Sequence, residues 1–386
     1  MKDKNIFESK ILFNNDSSLK KSTQKKDNSK LYLKGLKYFY GIDCPVNYKE
    51  SYEIFEKINK ESNHKNNDVL ILLGIMFEKG LHVHQKFKKA IELYKKAAKN
   101  GSGKAYYLLA QLAEKKILDE EDSNNSYDDV AFDYYTKSAN LEYSDAFARI
   151  GVIFEQGLLK TVKNLEEAFI NFKKSVEIDN NPVGLNGEGN AYFNEKKFEM
   201  AAELYKLAIH GGNIDALNNL GICYEYGKGV EQNNDKALEL YYKGKEKGHL
   251  DAATNYAILK IKIAIKINNY SCFSECLKIL QNVTLTNQKN PEIYYFIGLM
   301  YEIGIDLFED GNIIKNPYLA FMNYKKAGDL NFGKACTKLG ICYLNGIEGV
   351  VAPNKNYSIS MLEKALENGD LESQKYLDYI KNNIKE

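Results

Sequence analysis

The feature that most constrains this chain is self-similarity. The stretch 213–248, NIDALNNLGICYEYGKGVEQNNDKALELYYKGKEKG, places Ala216, Leu220, Gly221 and Tyr224 at helical spacing, then Ala237, Leu240, Tyr241 and Gly244 at the same spacing. Each half carries one apolar stripe, and a lone pair of helices this short could not bury both. Such a unit must lean on copies of itself. The copies align on a small residue of the first helix: Gly35, Gly74, Ala110, Gly151, Gly189, Gly221, Ala257, Gly298 and Gly340. A second register runs small, aromatic, small at intervals of four and three. It reads Ala90-Tyr94-Ala97, Ala131-Tyr135-Ser138, Ala168-Phe172-Ser175, Ala201-Tyr205-Ala208, Ala237-Tyr241-Gly244 and Ala320-Tyr324-Ala327, with a weaker Ser358-Leu362-Ala365. Small residues let helix axes approach, and the aromatic fills the gap beside them.

The pattern predicts an all-α fold: a right-handed α/α superhelix, or solenoid, of about nine helix-turn-helix repeats. Residues 1–28 read as a disordered polar tail, 29–372 as the repeat array and 373–386 as a C-terminal capping helix with Tyr376, Leu377 and Ile380 on one side. At 386 residues the chain exceeds a typical single core, and an array in which repeats touch only their neighbours accommodates that length. The acidic segment 118–129, LDEEDSNNSYDD, is expected to be a solvated loop. The IKIAIKI run of the seventh copy would also suit a strand, but its flanks favour helix. Pro45, Pro182, Pro291, Pro317 and Pro353 all fall in predicted turns or first helical positions. Gly227, Gly229, Gly346 and Gly349 are expected at helix stops that need positive φ.

Charge is balanced, with 53 basic and 52 acidic residues, and Arg149 is the only arginine. Nucleic acid is therefore not the expected partner. No apolar run is long enough to span a membrane, and residues 1–16 lack the apolar core of a signal peptide. The expected place is intracellular and cytoplasmic. Cys44, Cys223, Cys272, Cys276, Cys336 and Cys342 do not recur as a pair in each repeat, so no disulfide framework is expected. Cys223 and Cys342 occupy a position that is apolar in the other copies and read as core. Cys272 and Cys276, four apart on a predicted helix, could bind metal or sense oxidation, against a core-packing reading.

Leu220-Gly221, Tyr224, Gly227, Gly229-Val230, Lys236-Ala237 and Tyr241 closely resemble the Sel-one-like repeat (SLR), a relative of the tetratricopeptide repeat with a longer loop. The fifth copy, GNAYFNEKKFEMAAELYKLAI, looks more like a plain tetratricopeptide repeat. The resemblance implies a non-enzymatic adaptor or scaffold that binds protein partners along a concave groove lined by first helices. It places the residue four beyond the repeat glycine on that surface, where Glu78, Glu114, Glu155, Glu225 and Glu302 stand.

Glutamate near a helix C-terminus opposes the macrodipole, so local helix energetics do not explain the column. It is a candidate docking strip for a basic peptide or helix, against the plain reading of solvated glutamates paired with lysines. Tyr107, Tyr226 and Tyr295, with Ile71, Ile222 and Leu299, are candidate groove anchors. Asp68, Asp145, Asp215, Asp251 and Glu292 at first-helix starts read as dipole and capping residues. His82-Val83-His84 has no evident third ligand. No Walker loop, HExxH or GxSxG occurs, so no catalytic residue, metal or cofactor is expected. An enzyme-associated regulatory subunit and a single-stranded nucleic-acid binder using the tyrosine-rich groove are the alternatives.

Overall fold

The computed structural model describes residues 23–118, 126–286, 289–304 and 314–382. These form two compact units, Met1–Asn213 and Ile214–Glu386. The first unit holds five helix pairs. They are α1 Thr23–Tyr40 with α2 Tyr48–Glu61, α3 Asn67–Lys79 with α4 Phe87–Lys99, α5 Gly103–Glu114 with α6 Tyr127–Ala139, α7 Ser144–Gln156 with α8 Leu165–Asp179, and α9 Pro182–Asn194 with α10 Phe198–His210. The second holds four pairs and a closing helix. They are α11 Asp215–Tyr226 with α12 Asn234–Glu246, α13 Leu250–Ile267 with α14 Phe273–Thr284, α15 Pro291–Ile303 with α16 Pro317–Asp329, α17 Gly333–Asn345 with α18 Lys355–Glu367, and then α19 Ser373–Asn382.

The small-residue register is the packing code within each pair. Tyr94, Phe172, Tyr205, Tyr241 and Tyr324 each press on the glycine of their own repeat. A Cβ added at Gly74 would lie 2.3 Å from Tyr94, and one at Gly298 would lie 2.6 Å from Tyr324. The rings of Tyr94, Tyr135, Tyr241 and Tyr324 are fully buried. In α19, Leu377 and Ile380 are buried in one apolar cluster with Leu362 of α18.

Helix starts are set largely by asparagine. Asn47, Asn66, Asn164, Asn181, Asn233, Asn290, Asn316 and Asn354 each accept a backbone N–H of the turn that follows. The acidic residues Asp68, Asp145, Asp215, Asp251 and Glu292 do lie in first turns, where the dipole favours them. The caps beside them, however, are made by Asn66, His249 and Asn290. Pro182, Pro291 and Pro317 occupy first helical positions. Gly227 ends α11 at φ 64°, in the left-handed region glycine enters without strain.

The IKIAIKI run is helical, inside the 18-residue α13. Lys262 within the run and Lys260 just before it meet carboxylates of other helices: Lys262 meets Glu225 at 3.3 Å and Lys260 meets Glu275 at 2.8 Å. Of the 118–129 segment, the described ends are structured. Leu118 is buried, and Ser126 and Asp129 form a capping box that starts α6, while 119–125 fall outside the described residues. Most of the tail 1–28 also falls outside them.

Candidate partner-binding face

The column four residues past the repeat glycine lands at the C-terminal end of each first helix. In the first unit Glu78, Glu114 and Glu155 hold equivalent positions on α3, α5 and α7. The structure supplies what offsets the unfavourable dipole there. Tyr94 Oη donates to Glu78 Oε2 at 2.8 Å, and Tyr135 Oη donates to Glu114 Oε2 at 2.7 Å. The ring that fills the space beside the small residue thus also delivers a hydroxyl to the carboxylate one turn on. Burial, reinforced by the facing carboxylate, raises both phenols well above their ordinary range, so each remains a donor.

The three carboxylates differ in what else holds them. Glu114 also accepts from Arg149 Nη2 of the next first helix. Glu78 and Glu155 pair with no cation among the described residues. Glu155 lacks the tyrosine as well, because its second helix carries Phe172 at that place. Its donor is Asn190 Nδ2 at 3.4 Å, and Asn190 Oδ1 in turn accepts from Tyr205 Oη at 3.0 Å.

In the second unit the carboxylates are more fully engaged. Glu225 is 8% exposed, accepts from Tyr241 Oη at 2.9 Å and meets Lys262 Nζ at 3.3 Å. Lys262 also approaches Glu292 at 3.6 Å. Burial alone would favour a neutral Lys262, but Glu225 and Glu292 outweigh it and raise the ammonium's pKa. Glu302 accepts from Tyr324 Oη and from Lys338 Nζ, the latter at 2.9 Å.

The aromatic candidates separate in the same way. Tyr107 sits 5.5 Å from the Tyr135 ring and 5.4 Å from Tyr143, centroid to centroid, and burial raises its phenol pKa. Tyr295 is 5.9 Å from Tyr324 and 5.2 Å from Phe332, and burial pushes its phenol up to about 12. Both rings are built into aromatic clusters. Ile71 is buried, and Ile222 and Leu299 are half-buried. Tyr226 is 56% exposed, with Lys228 lying over its ring.

The sequence profile of the Sel1 repeat matches residues 35–61, 68–102, 128–143, 144–180, 214–249, 292–332 and 333–370. The chain belongs to the Sel1 repeat family. This Sel1 repeat chain is similar to two curated proteins of Schizosaccharomyces pombe. It is 22% identical over 222 residues to chitin synthase regulatory factor 2, covering 55% of this chain and 36% of the relative. It is 26% identical over 156 residues to chitin synthase regulatory factor 3, covering 39% of this chain and 16% of the relative. The Sel1 repeat chain therefore matches about a third or less of each relative's length.

Among solved structures, a protective antigen of uropathogenic Escherichia coli with an SLR fold superposes with a TM-score of 0.59 at 18% identity, covering 93% of this chain and 73% of the other. A Sel1 repeat protein from Oxalobacter formigenes gives a TM-score of 0.45 at 18% identity, covering 92% and 94%. Sel1 repeat arrays generally serve in protein–protein interaction. Among the described residues no three His, Cys, Asp or Glu side chains converge as metal ligands. No described helix is long and apolar enough to cross a membrane. The expectation of an intracellular, cytoplasmic place does not stand, since a protective antigen of uropathogenic Escherichia coli is among the solved proteins with this fold.

Proposed function

We propose that the chain is a non-enzymatic scaffold whose first-helix face binds a partner bearing a basic peptide or helix. One observation supports this most: among the described residues Glu78 and Glu155 are half-buried first-helix carboxylates without a cationic partner, whereas Glu114, Glu225 and Glu302 each pair with a cation of the chain. A lysine or arginine from a partner would complete at Glu78 and Glu155 the arrangement that Arg149 completes at Glu114. In the second unit Tyr226 is the exposed aromatic that suits an interface anchor. A carboxylate-lined face disfavours polyanions, so nucleic acid is not the expected ligand.

The test is cross-linking capture from source-cell lysate with the native chain and a Glu78→Lys/Glu155→Lys variant shown by circular dichroism to be folded. Partners lost from the variant, with cross-links mapping to α3 and α7, support the reading. Identical partners in both sink it. A second reading, a regulatory subunit that docks on an enzyme, is favoured by the names of the two yeast relatives. Recovery of one enzyme in stoichiometric amount by the same capture would select it.

A further inference from the structure

Apart from the glutamate column, the second unit carries a pair of thiols at the start of α14. Cys272 is the N-cap residue of that helix and Cys276 lies one turn inside it, their backbones joined by the Cys276 N–H donating to Cys272 O at 2.9 Å. Cys272 already has near-helical dihedrals, φ −83° and ψ −8°. Residues four apart in a helix have Cα atoms about 6 Å apart and side chains on one face. That Cα separation lies within disulfide range, whereas Cβ atoms about 5–6 Å apart must close by about 1 Å. The end of a helix is where such closure perturbs least, because only the first turn has to tighten.

The two thiols are unequal. Cys276 is fully buried among Phe273, Leu280 and Val283, while Cys272 is partly exposed and donates weakly to Lys260 O at 3.8 Å. They lie close enough to shift each other's ionisation. Contact with Cys276 lowers the Cys272 pKa, against burial and with help from Lys260, and the same contact together with burial raises that of Cys276. Cys272 stands at the N-cap of α14 without a cap bond to its first-turn amides, so a thiolate formed there would lie near the positive end of the helix dipole. An accessible attacking thiol thus stands beside a shielded resolving thiol.

We propose that Cys272 and Cys276 form a reversible intramolecular disulfide by exchange with a low-molecular-weight disulfide. In the first step the Cys272 thiolate attacks one sulfur of the small disulfide, forming a mixed disulfide and releasing one small thiolate. Cys276 then loses its proton to solvent and attacks the Cys272 sulfur, and the second small thiolate leaves. The two protein thiols are oxidised, the small disulfide is reduced to two thiols, and the two protein protons end on those products. A bond closed across a helical turn is strained and therefore readily reduced, which fits a switch better than a staple. Its formation pulls the first turn of α14 inward beside Lys260 and Glu275.

The full-length chain is incubated with oxidised glutathione at neutral pH, quenched in acid, unfolded, labelled with N-ethylmaleimide and mapped by peptide mass spectrometry. The expected result is paired loss of label at Cys272 and Cys276, at least tenfold faster than modification of the partly exposed Cys44, with both labels restored by dithiothreitol. In a Cys276→Ser variant the glutathione adduct should persist on Cys272, and in a Cys272→Ser variant Cys276 should keep its label. Retention of label at both sites while Cys44 is modified overturns the proposal. So does a stable glutathione adduct on Cys272 of the native chain. The native time course decides even if a variant fails to fold.

Discussion

Replacing Gly221 by alanine tests the packing code directly. A Cβ there would lie 2.4 Å from Tyr241 Cε1, 2.7 Å from Cδ1 and 3.1 Å from Cζ. Alanine improves intrinsic helix propensity by about 1 kcal/mol. Overpacking a filled core costs about 1–3 kcal/mol. The ring cannot simply retreat, because its hydroxyl is tied to Glu225, four residues along the same helix as Gly221. Moving it far enough to lose that charge-assisted bond costs about 1.5–3 kcal/mol more. The net expectation is a loss of about 1.5–5 kcal/mol. A repeat array need not unfold in one step, so the suitable readout is hydrogen exchange of α11 and α12 amides. Their opening should become about 10- to 4,000-fold more frequent. The third repeat offers the counter-case, since Ala110 coexists there with a buried Tyr135. Unchanged or slower exchange in Gly221→Ala would show that the pair relaxes as that repeat does and would refute the argument.

Tyr241→Phe should cost about 1.5–3 kcal/mol, because it removes a hydroxyl donor from the buried Glu225; Tyr94→Phe should cost less, since Glu78 is half-buried. Urea unfolding monitored by both units' exchange profiles separates the two. Arg149→Met should destabilise the α5–α7 contact by about 1 kcal/mol and should slow, not abolish, refolding of the first unit's amides. The His249–Asp215 pair, 3.2 Å apart, should give a pH-dependent term. Hydrogen bonding to Asp215 raises the His249 pKa above 6.5, so that contribution is full below 6.5 and fades as pH rises through the raised value. The bond from His249 lowers the Asp215 pKa below 3.8, so its contribution is full above 3.8 and fades as pH falls through the lowered value. An Asp215→Asn variant should therefore differ most from the native chain between those limits, and a flat difference across pH would contradict the pairing.

The repeat number, the helical register and the glycine–aromatic contacts were legible because one spacing recurs through the chain. What escaped was the partner of each glutamate. The signal existed within the chain itself: Tyr94, Tyr135, Tyr241 and Tyr324 occur in the copies that carry Glu78, Glu114, Glu225 and Glu302. Phe55 and Leu362 occur in copies that lack the glutamate. Glu155 with Phe172 breaks the rule, as does Tyr205, which turns to Asn190 instead. The cations were harder to foresee. Arg149 and Lys338 stand two residues before the repeat glycine, but Lys262 stands five after Ala257, so no one spacing marks them. Their pairing depends on how neighbouring first helices lie against each other, which periodicity does not encode. The asparagine caps were overlooked because asparagine is abundant throughout, and abundance hid position.

The bonds of the glutamate column fall into two ranges. The Tyr94–Glu78 and Tyr241–Glu225 bonds join residues 16 apart, inside one helix pair. The Arg149–Glu114, Lys338–Glu302 and Lys262–Glu225 bonds join residues 35, 36 and 37 apart, between successive pairs. A gene segment encoding one pair can therefore be duplicated or deleted with its internal bonds intact, at the cost of re-forming a single cationic joint. Glu78 and Glu155 are joints at which no such cation is found among the described residues. A lineage that shuffles its repeats would generate and erase such unmatched carboxylates one insertion at a time.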